Sequence, residues 1–172
     1  MVNLFLKIYK AFDDKRQMFL DAGLEPVLHI DKYRGQPLNP AQFEYYDIPA
    51  IFIDWRIAWT KNGKTYDGKV SLDFHIVTDA TWDTSNVSTN HEAGLKTIVH
   101  HALIRHVLDD LQSENTSKLI RLDENPVDTG VVNYELIRYE CNYFDPMMTG
   151  DEYIEVLIEA LKVSGKLVKR LS

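Results

Sequence analysis

Apolar positions recur along the chain with two periods, near 3.6 and near 2, and these divide it into helical and extended segments. Leu4, Phe5, Ile8, Phe12 and Phe19 fall roughly on one face of a helix over residues 2–20. Lys7, Lys10, Asp14 and Lys15 lie elsewhere, and Gly23 offers a stop. Residues 24–30 suit a short strand. Asn39-Pro40 has the form of a helix start, which predicts a short helix over 40–46. The period of two is clearest over 48–78. Ile51, Ile53, Trp55, Ile57 and Trp59 alternate with Phe52, Asp54, Arg56 and Ala58; Val70, Leu72, Phe74 and Ile76 alternate with Lys69, Ser71, Asp73 and His75. Between them TKNGKTYDG supplies Asn62-Gly63 for a turn and Gly68 for further freedom, so this is a long β-hairpin.

Residues 79–90 form a connection rich in Ser, Thr, Asn and Asp. A helix follows over about 92–111, with Leu95, Ile98, Val99, Ala102, Leu103, Val107 and Leu111 at spacings of three and four. Ile104 and Leu108 widen that stripe, which implies burial against more than one surface. The stripe expected to meet the sheet is Leu95, Val99, Ala102, Leu103 and Val107. Residues 117–124 and 131–144 predict a second strand pair, joined through Asn125-Pro126 and Gly130. Val132, Tyr134 and Leu136 share one parity; Ile137, Tyr139, Cys141 and Tyr143 share the other. Either a β-bulge near Leu136-Ile137 or a strand covered on both faces produces that switch. Ile154, Leu157, Ile158, Leu161, Val168 and Leu171 mark a C-terminal amphipathic helix over 151–172, acidic early and basic late, packed on its own domain or on a neighbour. The order predicts a single α+β domain over 1–150 with an antiparallel sheet of two hairpins flanked by helices, and the terminal helix appended.

Composition narrows the function classes. With 19 Lys and Arg against 26 Asp and Glu, the net charge is −7. The charges of 151–172 cancel, so the excess lies in 1–150. An acidic chain is poorly suited to gripping phosphates, and sequence-specific nucleic-acid binding is not expected. No apolar run approaches the roughly 20 residues that span a bilayer, so no membrane partner is expected. The first residues lack a cleavage-site pattern, and a single cysteine fits a reducing, cytoplasmic compartment.

Candidate chemistry is sparse. Zinc on a helix needs ligands at i and i+4, but His91 faces Leu95 at that spacing, and His100 and His101 face Ile104 and Arg105. His101 and His106 diverge around the helix; His106 is expected at the edge of the packed stripe, and the other histidines, His75 among them, largely at the surface. Cys141 has no base nearby and suits a buried structural role. Asp54 and Asp73 share one hairpin face, where solvated charge explains them. No phosphate loop, nucleophile elbow or CxxC pair occurs, so no catalytic residue, metal or cofactor is assigned. The hairpin tip carries Lys61, Lys64 and Lys69 around Asp67, a basic loop on an acidic protein. The connection 79–90 holds Trp82 and Val87, apolar side chains that a solvated linker does not need. These five residues are the expected interface.

The order of helix, long hairpin opening with Ile48 to Ile53, its return strand Val70 to Val77, polar connection, helix Leu95 to Leu111 and aromatic strand Tyr134 to Phe144 resembles a viral family. It is similar to the tail-terminator and neck (tail-completion, head–tail joining) proteins of long-tailed phages and prophages, over residues 1–145. That resemblance implies a tail-terminator-like fold and a structural protein with no enzymatic activity. Such proteins form rings, commonly hexameric, that cap the tail tube and join it to the head connector. The partners it implies are further copies of the chain, the tail tube and the connector, first in the host cytoplasm during assembly and then in the virion neck. A negative lumen would let DNA slide without sticking. The competing readings are a small host adaptor or binding module and a small enzyme without a recognisable motif.

Overall fold

A computed structural model describes residues 1–39, 42–43, 45–62, 65–78, 84–127 and 133–145. The described residues form one α+β unit of three helices and a five-stranded, mostly antiparallel sheet. In chain order these are α1 (Val2–Asp14), α2 (Arg16–Asp21), β1 (His29–Lys32), β2 (Ala50–Asn62), β3 (Thr65–Thr78), α3 (His91–Leu108), β4 (Ile120–Val127) and β5 (Asn133–Asp145). The strand order is β1-β2-β3-β5-β4. The expected terminal helix over 151–172 lies outside the described residues; of the short helix expected over 40–46, residues 42, 43, 45 and 46 are described and lie in no α-helix.

The N-terminal segment breaks at Lys15 into α1 and α2, and its predicted face is the buried one: Leu4, Ile8, Phe12 and Phe19. They meet Ile51, Ile53, Val70, Leu72, Phe74 and Ile76, the inward parity of the hairpin. The helices therefore cover one face of the sheet. The hairpin runs further than predicted: β2 reaches Asn62 and β3 starts at Thr65, so most of the expected loop is paired. Gly68 is part of that ladder, opposite Trp59. A Cβ there would sit 2.9 Å from Ile57 Cγ2 and 3.1 Å from the Trp59 ring, so glycine serves close packing rather than turning.

Three further expectations change. First, β1 is a parallel edge strand on β2, with His29 beside Ala50. The 17 residues between these strands make a parallel connection possible where a tight turn would not. Second, the β3–β5 register is continuous from Tyr66–Asp145 to Thr78–Asn133, so there is no bulge at Leu136-Ile137. β5 instead lies between β3 and β4 with apolar residues on both faces. The register shift is on β4, between Arg121 and Asp123. Asn125 and Pro126 belong to β4 rather than to a turn. Proline is tolerated there because β4 is the sheet edge, and its Arg, Asp and Glu residues shield that edge.

Third, α3 presents a different face to the sheet. His100, Ile104, Val107 and Leu108 are buried, and Leu103 is half-buried against the core. Val107 and Leu103 are inside as expected, but Leu95, Val99 and Ala102, expected there with them, are exposed. At about 100° per residue, Leu95, Ile98, Val99 and Ala102 lie opposite the buried set. The sequence thus holds two apolar stripes on one helix, and polar contacts select between them. His101 pairs with the Glu135 carboxylate of β5, and Arg105 Nη1 lies 3.0 Å from Glu124 Oε2 and 3.6 Å from Glu135 Oε1. The Tyr139 hydroxyl donates to Asp109 Oδ1 at 2.8 Å. These contacts clamp α3 to β4 and β5 with the Ile104–Leu108 side inward.

Candidate docking surfaces

The outward side of α3 is the largest departure from ordinary surface chemistry. Leu95 is 47% exposed, Ile98 55% and Val99 47%, and Ala102 is exposed beside them. Their spacing of i, i+3, i+4 and i+7 is that of a helix face that meets a partner. Isolated exposed apolar residues are ordinary, but a contiguous stripe marks an interaction site. Of the five residues expected to meet the sheet, Val107 and Leu103 do so, whereas Leu95, Val99 and Ala102 face outward.

Of the expected interface residues, Lys64 and Trp82 lie outside the described residues. Lys61 and Lys69 are exposed towards the hairpin tip, and Lys69 Nζ is 2.9 Å from Glu140 Oε2 on β5. Val87, 86% exposed, stands shortly before α3. The connection holding Val87 leaves β3 at Thr78, at the end of the hairpin remote from Lys61. Roughly 40 Å of strand separates the two ends, so Lys61 and Lys69 are not gathered into one patch with Val87. They mark two surfaces at opposite ends of the sheet.

The sheet face away from the helices carries an aromatic and charged cluster that the sequence did not disclose. Tyr33 stacks on His75 with ring centroids 3.6 Å apart and planes 6° apart, and His75 Nδ1 hydrogen-bonds the Tyr134 hydroxyl. Tyr46 meets Phe52 edge to face at 4.9 Å. Burial depresses the His75 pKa, against the opposing influence of Asp73 and Asp54, and burial raises the Tyr134 phenol beside Tyr33. Asp54 and Asp73 are direct cross-strand partners, as their shared face implied. Arg138 donates from Nε to Asp73 Oδ1 at 3.0 Å and from Nη1 to Asp123 Oδ2 at 3.1 Å.

The histidines separate. Contrary to the expectation of surface histidines beside a packed His106, His75 and His100 are buried and His106 is exposed; His91 Nδ1 lies 2.7 Å from the Ser88 carbonyl. His100 is buried edge to face against Phe19, its Nε2 without a hydrogen-bond partner among the described residues. Among the described residues no group of three or more His, Cys, Asp or Glu side chains is placed to hold a metal ion. Among them, too, no helix is long and apolar enough to cross a membrane.

Cys141 is buried in the core, and burial pushes its thiol up to about 11. A thiol so disposed is a poor nucleophile. A thiol-specific reagent at pH 7.5 is expected to label the native protein about 100-fold or more slowly than the urea-unfolded chain. Equal labelling rates would show that Cys141 is accessible.

Compared with protein-family models and with curated proteins, the chain matches none.

Proposed function

We propose that this chain is a non-enzymatic structural protein of a phage or prophage neck, assembling with its own copies into a ring that ends the tail tube and meets the head connector. The observation that carries the assembly half of this reading is α3, apolar on the side facing the sheet and again on the side facing outward. A helix apolar all round belongs in an interior, so the outward stripe calls for a partner. The two polar ends of the long hairpin supply further contact surfaces, the basic tip with Lys61 and Lys69 at one end and the Val87 segment at the other. The phage assignment rests on the order of elements and its resemblance to tail-terminator proteins.

The test is sedimentation and negative-stain imaging of the purified protein, alone and with tail-tube protein, across a salt series. The expected result is an annular particle of several copies. A triple Lys61/Lys64/Lys69→Glu variant should assemble less well, and added salt should weaken the wild-type assembly, because exposed charge pairs are screened over about 8–10 Å. A monomer under every condition, tube protein included, would overturn the reading. Full tail joining by a variant unable to form rings would overturn the neck assignment alone.

A further inference from the structure

We propose that the cavity between β1 and the chain returning to β2 is a binding site for a neutral, hydroxyl-rich small molecule, a mono- or disaccharide. Its volume is about 390 Å³, at the lower end of the ~300–1,000 Å³ typical of small-molecule sites. The sheet contributes Asp31 and Phe52, side by side in the parallel β1–β2 register. The returning chain contributes Arg34, Gln36, Gln42 and Tyr46. This lining is fixed by contacts of its own. The Tyr33 N–H donates to the Ile53 carbonyl at 2.9 Å, and the Tyr33 ring stacks on His75. Gln36, 3% exposed, accepts from the Arg34 N–H at 2.6 Å and donates to the Lys32 carbonyl at 2.8 Å. A site built in advance loses little ordering entropy when it is filled.

The charge balance of the lining argues against an ion. Asp31 Oδ2 accepts from Arg34 Nη2, so the carboxylate and the guanidinium offset each other and leave little field to gather an anion or a cation. Neutral hydrogen-bonding capacity remains. The Gln36 amide keeps one further donor and one further acceptor, Gln42 adds a second amide, and Arg34 keeps most of its five N–H donors. Planar amide, carboxylate and guanidinium groups set side by side present donors next to acceptors. Vicinal hydroxyls ask for that arrangement, because each one both gives and accepts a hydrogen bond. The rings complete the match. Tyr46 and Phe52 meet edge to face, 4.9 Å apart with planes at 80°, and so offer a ring face without a parallel slot. A flat nucleobase favours a slot between parallel rings, whereas the C–H face of a sugar packs on a single aromatic face. Tyr45 lines the cavity while 90% exposed, and so stands at its mouth with a free ring face.

This inference is independent of the self-assembly reading and of the neck assignment. The test is saturation-transfer NMR on the full-length chain, which works on a single subunit and on a ring alike. The probes are glucose, galactose, mannose, N-acetylglucosamine, maltose and lactose, each titrated to about 50 mM, enough to reveal a Kd on the order of 1–10 mM. Benzoate, benzylamine and uridine serve as anionic, cationic and planar comparisons. The expected result is saturable transfer to the ring C–H protons of at least one saccharide. Tyr45→Ala and Gln42→Ala, both at exposed positions, should leave the urea midpoint unchanged and weaken that saccharide about 5- to 10-fold each, the loss of one ring contact or one hydrogen bond. No saturable transfer to any of the six would overturn the inference. So would saccharide binding that both substitutions leave intact, since the sugar would then sit elsewhere. Tighter binding of benzoate, benzylamine or uridine than of every saccharide would overturn the assignment of ligand class.

Discussion

Leu108→Ala is expected to lower the unfolding free energy by about 2–5 kcal/mol, the usual cost of emptying a filled leucine site. Leu108 is fully buried among the side chains of α1, the hairpin and β5. Leu95→Ala, seven residues short of Ala102 on the outward stripe, should change the stability of the dilute subunit by no more than about 0.5 kcal/mol. The contrast discriminates between the two possible rotations of α3. With the Leu95–Val99–Ala102 side inward the ranking would reverse. Urea denaturation at low protein concentration measures both, and the comparison is informative because the two substitutions remove the same atoms. At high concentration Leu95→Ala should instead reduce the assembled fraction.

The second large effect is on the pH dependence of stability. Burial, with the neighbouring His101, depresses His100 to about 4 from an ordinary 6.5. The unfolded chain therefore takes up a proton near 6.5 that the folded chain refuses until about 4. A group with a depressed folded-state pKa contributes stability that is present above its unfolded value and lost as pH falls. The loss from this one residue, across about 2.5 units at 1.36 kcal/mol each, is about 3 kcal/mol. Glu135 acts in the same sense at lower pH. Burial opposes its ionisation, but His101, Arg105 and Arg121 outweigh that and hold its carboxyl below the ordinary 4.5. His100→Phe keeps a ring against Phe19 and removes both the titrating group and its unpartnered nitrogen. It should be near neutral at pH 7.5 and more stable than wild type at pH 5, with a flatter stability profile between 6.5 and 4. A profile that keeps the wild-type slope would show that His100 is not the residue responsible.

The alternation over 48–78 determined by itself that β2 and β3 form a long hairpin, which residues face inward, and that Asp54 and Asp73 share a face. A period of two admits only one arrangement once one side must be dry. The spacing of Leu4, Ile8 and Phe12 likewise determined the buried side of α1, because the opposite side is charged. The tertiary structure was needed wherever a local pattern had two solutions of similar merit. α3 is apolar on both sides, and only the pairing of His101 and Arg105 with Glu135 and Glu124, residues far away in sequence, selected the inward one. β5 is apolar on both parities, which sequence could not separate from a bulge; its place between two strands accounts for it. Pro126 signals a turn in isolation, yet it is admissible in β4 because that strand is the sheet edge among the described residues. The cluster of Tyr33, His75 and Tyr134 joins three separate segments, so no spacing along the chain encodes it. Local sequence determines periodicity and polarity, whereas the choice between two equally apolar faces depends on which one has partners to receive its flanking charges, and those partners come from the fold.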